Sequence, residues 1–244
     1  MTDNIIKQVA IHQPECLPWI GFFNKMMLAQ QYIILDDVQY CRRNFQHRNQ
    51  IQVNNDKVFL TLPVHCPLKS IIKDVKLSND TYIQKHINTI ERAYKKDEFF
   101  SEFFPLLKSL YQKKHKFLLD FNMQFITSIR DYLNIKTPLF FSSSFNLKST
   151  KTSRIIDLVK CVEGNSYITG VVSLDYLDPE QFENEQIDLK IHTTKPLYSN
   201  KRNKKFISHL SIIDLLMQYS PADAKRIILH SGTSIEYNAY STDR

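Results

Sequence analysis

Gln8–Gln50 reads QVAIHQPECLPWIGFFNKMMLAQQYIILDDVQYCRRNFQHRNQ, and the reading of this stretch decides the fold. It opens on a short apolar run, Val9-Ala10-Ile11, that stops at His12-Gln13-Pro14. Such a run, bounded by proline and polar residues, predicts a buried strand ending in a loop. The loop carries the chain's single tryptophan, Trp19, directly after Pro18. Gly21 to Leu28 stays apolar for too long to be one face of a half-buried strand and predicts a buried helix. A second run, Tyr32-Ile33-Ile34-Leu35, ends in Asp36-Asp37. Strand, polar tip, helix, strand and acidic tip together make a βαβ unit. In open α/β sheets ligands bind outside the carboxyl ends of the strands. His12, Asp36 and Asp37 are therefore expected on one rim, followed by the donors Gln39, Arg42, Arg43, Asn44, Gln46, His47, Arg48 and Asn49. The plain alternative for each is a solvated or capping histidine and an aspartate turn.

Outward from this unit, Ile51–Val53 and Val58–Leu62 flank Asn54-Asn55-Asp56-Lys57 and predict a β-hairpin. Ile71–Leu77 alternates enough for another strand. From about 81 to 134, three apolar stripes at i, i+3, i+4 spacing predict a helical insertion, one stripe running through Ile83, Ile87, Ile90 and Tyr94. The final third alternates again: a strand at Pro138–Phe141 ending in Ser142-Ser143-Ser144, a helix to Val162, a strand ending at Gly170, a helix near Tyr176–Phe182, a strand at Leu189–His192, and a helix over Ser208–Tyr219 stopped by Pro221. The expected fold class is α/β: a mostly parallel sheet flanked by helices, with the hairpin and the insertion. Residues 1–235 are expected to form a single domain, and 236–244 a frayed polar tail.

The composition narrows the function. The 244 residues include only four glycines, which argues against P-loops and dinucleotide fingerprints; no nicotinamide, flavin or zinc motif is readable. The net charge of +7 suits nucleic acid, anionic lipid or phosphorylated small molecules without choosing among them. Short basic runs (Lys95-Lys96, Lys113-Lys114, Lys201-Arg202, Lys204-Lys205) read as solvated surface. Cys16, Cys41, Cys66 and Cys161 have no CxxC spacing and read as free thiols. The N-terminus lacks a secretory pattern and no 18-residue apolar run occurs, so no membrane span and a cytoplasmic location are expected.

His12 is the leading chemical candidate, because an imidazole can take a proton from an amine or hydroxyl near neutral pH. Asp36 or Asp37 could orient its other nitrogen, or the pair could bind Mg²⁺ with substrate phosphates. Arg42, Arg43 and Arg48 suit a diphosphate, because guanidinium forks match phosphate oxygens. Gln13, Trp19, Gln39, Asn44, Asn49 and Gly170 complete the expected substrate contacts. A thiol mechanism through Cys16 or Cys66 is a weaker alternative.

Several stretches resemble the WbqC-like family: Ile11–Pro14, Leu17–Lys25, Leu35–Tyr40, Phe45–Ile51 and Leu60–Val64, then more weakly Tyr167–Gly170, Asp175–Leu177 and Leu210–Leu216. The resemblance covers about 7–217 in pieces and is densest in the first 65 residues. Cys16 departs from it, standing where the family usually has an aromatic. The resemblance implies a bacterial protein of surface-polysaccharide synthesis. It further implies a transferase acting on a nucleotide-linked amino sugar in O-antigen, capsule or related glycan synthesis, moving an acyl or aminoacyl group to the sugar amine. The implied partners are the nucleotide-linked sugar and an acyl or aminoacyl donor, with nucleic acid ranked last. A nucleotidyltransferase-like enzyme and a non-catalytic sugar-nucleotide-binding protein are the alternatives.

Overall fold

A computed structural model describes residues 6–195, 201 and 207–242. Arg202, Lys204 and Lys205 of the basic run, and the last two residues of the tail, lie outside them. The opening unit is β1 (Gln8–His12), α1 (Ile20–Leu28) and β2 (Gln31–Ile34). β3 (Arg48–Val53) and β4 (Asp56–Thr61) form the antiparallel hairpin, and β5 (Val64–His65) pairs with β6 (Lys76–Leu77). α2 (Tyr82–Tyr94), α3 (Phe100–Gln112) and α4 (Leu118–Tyr132) make the helical insertion. Alternation then resumes with β7 (Leu139–Phe141), α5 (Lys151–Cys161), β8 (Ser166–Gly170), α6 (Pro179–Asn184) and β9 (Asp188–Thr194). α7 (Ile212–Leu216), α8 (Pro221–His230), β10 (Gly232–Glu236) and α9 (Tyr237–Thr242) follow.

Six strands form one sheet in the order β10-β9-β8-β1-β2-β7, all parallel except β10, which runs antiparallel to β9. β1 lies inside, between β8 and β2, which is why Val9-Ala10-Ile11 is apolar without alternation: a parallel strand covered on both faces buries every side chain. The period of two still sorts those side chains. Val9, Ile11 and Ile33 join the core under α5 and α6, whereas Ala10, Tyr32 and Ile34 join the larger core shared with α1, the three-helix insertion, α7 and α8. His12 continues the parity of Ala10, and its ring meets Phe22 of α1 edge-on, 5.1 Å between centroids.

Three sequence expectations are corrected. Ile71–Leu77 is not one strand: a 3-10 turn at Ile72–Asp74 buries Ile72, leaving Ile71 in an isolated bridge and only the two residues of β6 as strand. Pro221 starts a helix instead of marking the end of the preceding one. It sits in the first turn of α8, where a missing N–H costs nothing, and Ser220 Oγ caps Asp223 N at 3.1 Å. The chain from Gly232 to Thr242 is ordered, because β10 pairs with β9 along its whole length and Tyr237 of α9 packs on the second core.

Candidate functional site

The carboxyl ends of β1, β8 and β9 open into a cleft of about 580 Å³. His12 ends β1, Gly170 ends β8, and His192 lies near the end of β9. α1 contributes Phe22 and Lys25, the β1–α1 loop contributes Gln13, Glu15 and Trp19, and Asn44–Gln46 close one wall. Gly21 lies beneath Trp19: a Cβ there would come within 2.3 Å of the indole, so glycine is what lets the ring lie across the helix start. The Trp19 ring also meets that of His209, tilted, with 4.9 Å between centroids. Gly170 has an ordinary φ of −81° and nothing within 4 Å of where a Cβ would stand. The space above Gly170 therefore belongs to the cleft.

Hydrogen bonds fix two of the three histidines that line the cleft among the described residues, His12 and His192. His12 Nδ1 lies 2.9 Å from the Gln13 carbonyl. A carbonyl can only accept, so Nδ1 carries the proton and Nε2 presents a lone pair. His192 Nε2 lies 2.6 Å from Asn24 Oδ1, and the Asn24 amide is oriented by donating to the carbonyls of Ile228 at 2.7 Å and Leu229 at 3.2 Å. Nε2 of His192 is therefore the donor, and its Nδ1 is the lone pair. Burial and the nearby Lys25 ammonium push both imidazoles down to about 3, so each is neutral across the physiological range.

Glu15 and Lys25 were not singled out from the sequence, yet among the described residues they are the only carboxylate and the only Lys or Arg lining the cleft. Both are buried, at 7% and 5% exposure. Burial raises Glu15 to about 7 against the pull of Lys25, and burial lowers Lys25 to about 8 against the pull of Glu15. Glu15 Oε1 stands 3.8 Å from His12 Nε2, and Oε2 is buried with no hydrogen-bond partner.

The structure corrects the role expected of Asp36 and Asp37. Asp36 accepts from Ser143 N at 3.0 Å and from Ser143 Oγ at 2.7 Å, and Ser142 Oγ lies within 3.0 Å of Asp36 Oδ1 and 2.6 Å of Asp37 Oδ1. Asp37 Oδ2 accepts from Arg154 Nη2 at 2.6 Å. These carboxylates join the end of β2 to the end of β7 and the start of α5. The carboxylate nearest His12 is Glu15, not either aspartate. Among the described residues no three His, Cys, Asp or Glu side chains gather as a metal-ligand set.

The expected substrate contacts divide into five places. Gln13, Trp19, Asn44 and Gly170 line the cleft with His12. Arg42 and Arg43 face a second cavity of about 550 Å³, bounded also by Tyr40, His47, His65 and Cys66, with Arg42 Nη2 donating to the Cys66 carbonyl at 3.2 Å. Arg48 donates to the Arg43 carbonyl at 2.6 Å and lies 4.5 Å over Phe59. Gln39 sits in a bridge to Ile71, and Asn49 is fully buried, donating to the carbonyl of Leu17 at 2.9 Å. Asn49 is thus a clamp on the loop whose Leu17 adopts φ 47°, not a ligand contact. Cys16 is fully buried and its thiol is pushed well above the usual range by that burial, which makes it inert rather than nucleophilic.

A family model for the WbqC-like protein family matches residues 13–226. The chain belongs to this family. It is also 28% identical over 219 residues to Uncharacterized protein Rv1507c of Mycobacterium tuberculosis, an alignment covering 86% of this chain and 93% of that protein. No solved structure matches the chain. Among the described residues, no helix of this WbqC-like protein is long and apolar enough to cross a membrane.

Proposed function

We propose that the protein is a transferase acting on a nucleotide-linked amino sugar in glycan synthesis, moving an acyl or aminoacyl group onto the sugar amine. One observation carries this reading: at the end of an inner strand, His12 offers a tautomer-fixed Nε2 lone pair to an aromatic-walled cleft. The sugar ring lies against Trp19, between Gln13, Asn44 and the open space above Gly170. Its amine nitrogen attacks the acyl carbon of the donor and becomes strongly acidic as the C–N bond forms. A neutral imidazole of low basicity is sufficient to take that proton. The leaving group departs with a proton, giving an amide and the free carrier. The loop at 41–47 presents Asn44–Gln46 to the cleft and Arg42, Arg43 and His47 to the second cavity. A diphosphate crossing that loop would meet the two guanidinium groups.

Calorimetric titration of a panel of nucleotide-linked sugars, amino and non-amino, tests the reading. An amino-sugar nucleotide is expected to bind selectively to the wild type and to His12→Ala, with Arg43→Ala weakening it. Binding of a nucleoside triphosphate or RNA with no binding of any sugar nucleotide overturns it.

A further inference from the structure

The floor of the cleft contains an arrangement that stability does not explain. Glu15 and Lys25 are both buried, both line the same cavity, and each shifts the other's ionisation. They nevertheless form no ion pair, Glu15 Oε2 is without a partner, and no hydrogen bond is made by Lys25 among the described residues. Leaving two buried opposite charges apart is costly, and apolar residues in their place would be neutral or stabilising. Lys25 is the one charged residue of a helix whose other buried side chains are apolar apart from Asn24, and methionine or leucine would serve packing better there. The Glu15 carboxylate and His12 Nε2, both acceptors when Glu15 is ionised, face one another at 3.8 Å. That separation can be bridged by a single ammonium nitrogen donating to both.

We propose that the cleft floor binds a zwitterionic group, with its ammonium between Glu15 and His12 Nε2 and its carboxylate on Lys25. An amino acid and an aminated uronic acid both carry this chemistry. The inference rests on the reading of the cleft as the substrate site and adds the charge class of what enters it. The gap between the two charged side chains is the volume that the ligand fills. His192 Nδ1 supplies a further acceptor beside it, its ring held by Asn24.

The test is titration of the full chain with four small probes near neutral pH: alanine, glucosaminuronic acid, glucosamine and glucuronic acid. At least one of the two zwitterions is expected to bind about tenfold or more tightly than both singly charged sugars. Preference for alanine or for the aminated uronic acid identifies the source. Lys25→Met should reduce the favoured zwitterion to the affinity of glucosamine, and Glu15→Gln to that of glucuronic acid. No zwitterion binding, equal binding of a singly charged sugar, or selectivity surviving in both variants overturns the proposal. The wild-type comparison stands even if a variant fails to fold. A neutral amino-sugar nucleotide that binds while no zwitterion does overturns this proposal alone and leaves the transferase reading intact.

Discussion

The rim of the sheet carries two carboxylate groups of opposite character. At the β2–β7 end, Asp36 and Asp37 share two serines and an arginine, and Asp36 is held by backbone and hydroxyl donors at both oxygens. At the β1–β9 end, Glu15 is equally buried, with one oxygen unpartnered and the other facing a lone pair. Saturation separates the two. A carboxylate whose acceptors are filled by its own chain stabilises the fold, whereas one left open to a cavity destabilises it and is available to a ligand.

Substitutions should therefore move the two groups in opposite directions. Asp36→Ala should have the largest effect, destabilising by about 3–5 kcal/mol in urea unfolding because it strands Ser143 N and the Ser143 hydroxyl at a buried strand end and leaves Ser142 Oγ only Asp37 as an acceptor. A fully stable Asp36→Ala that lost ligand binding would erase the contrast. Glu15→Gln should instead stabilise, by up to about 3 kcal/mol above pH 7. The sign follows from a folded pKa raised from 4.5 to about 7: the wild type loses Glu15's contribution as pH rises through that window, and the variant does not. Thermal melts of both proteins from pH 4 to 8 should diverge progressively, with no difference at the acid end. His12 changes stability in the opposite sense below pH 6.5, so the difference between the two proteins is the quantity to follow. Asp37→Asn, which weakens one charge-assisted bond to Arg154, should cost about 1–2 kcal/mol by the same urea assay. Gly170→Phe should change stability least, within about 0.5 kcal/mol, because its backbone is unstrained and the space is open. It should nonetheless block the cleft, and loss of sugar-nucleotide binding with an unchanged melt would sharpen the assignment.

The sheet was legible because parallel strands announce themselves as unbroken apolar runs ending in polar residues, and His12 and Gly170 could be placed on the rim from that alone. Asp36 and Asp37 looked reactive because their partners, Ser142 and Ser143, are more than a hundred residues away and arrive only when β7 pairs with β2. The arginines looked like cleft residues because a loop's sequence does not reveal that alternate stretches of it face different cavities. Glu15 and Lys25 did leave a trace: an acid between Pro14 and Cys16, and a lysine inside GFFNKMML, each a charge where the surrounding pattern demands burial. His192 had no such trace, since only the fold brings Asn24 to it.

The Asn24 clamp also bears on where the chain can be cut. The family match spans 13–226, yet the carbonyls that orient Asn24, and through it His192, belong to Ile228 and Leu229. The match also begins one residue after His12, leaving out β1, which stands between β8 and β2. A fragment trimmed to the span its relatives share would keep most of the recognisable sequence but lose an inner strand and the anchor of a cleft histidine. For expression or for domain grafting, the indivisible piece is longer at both ends than similarity alone would suggest.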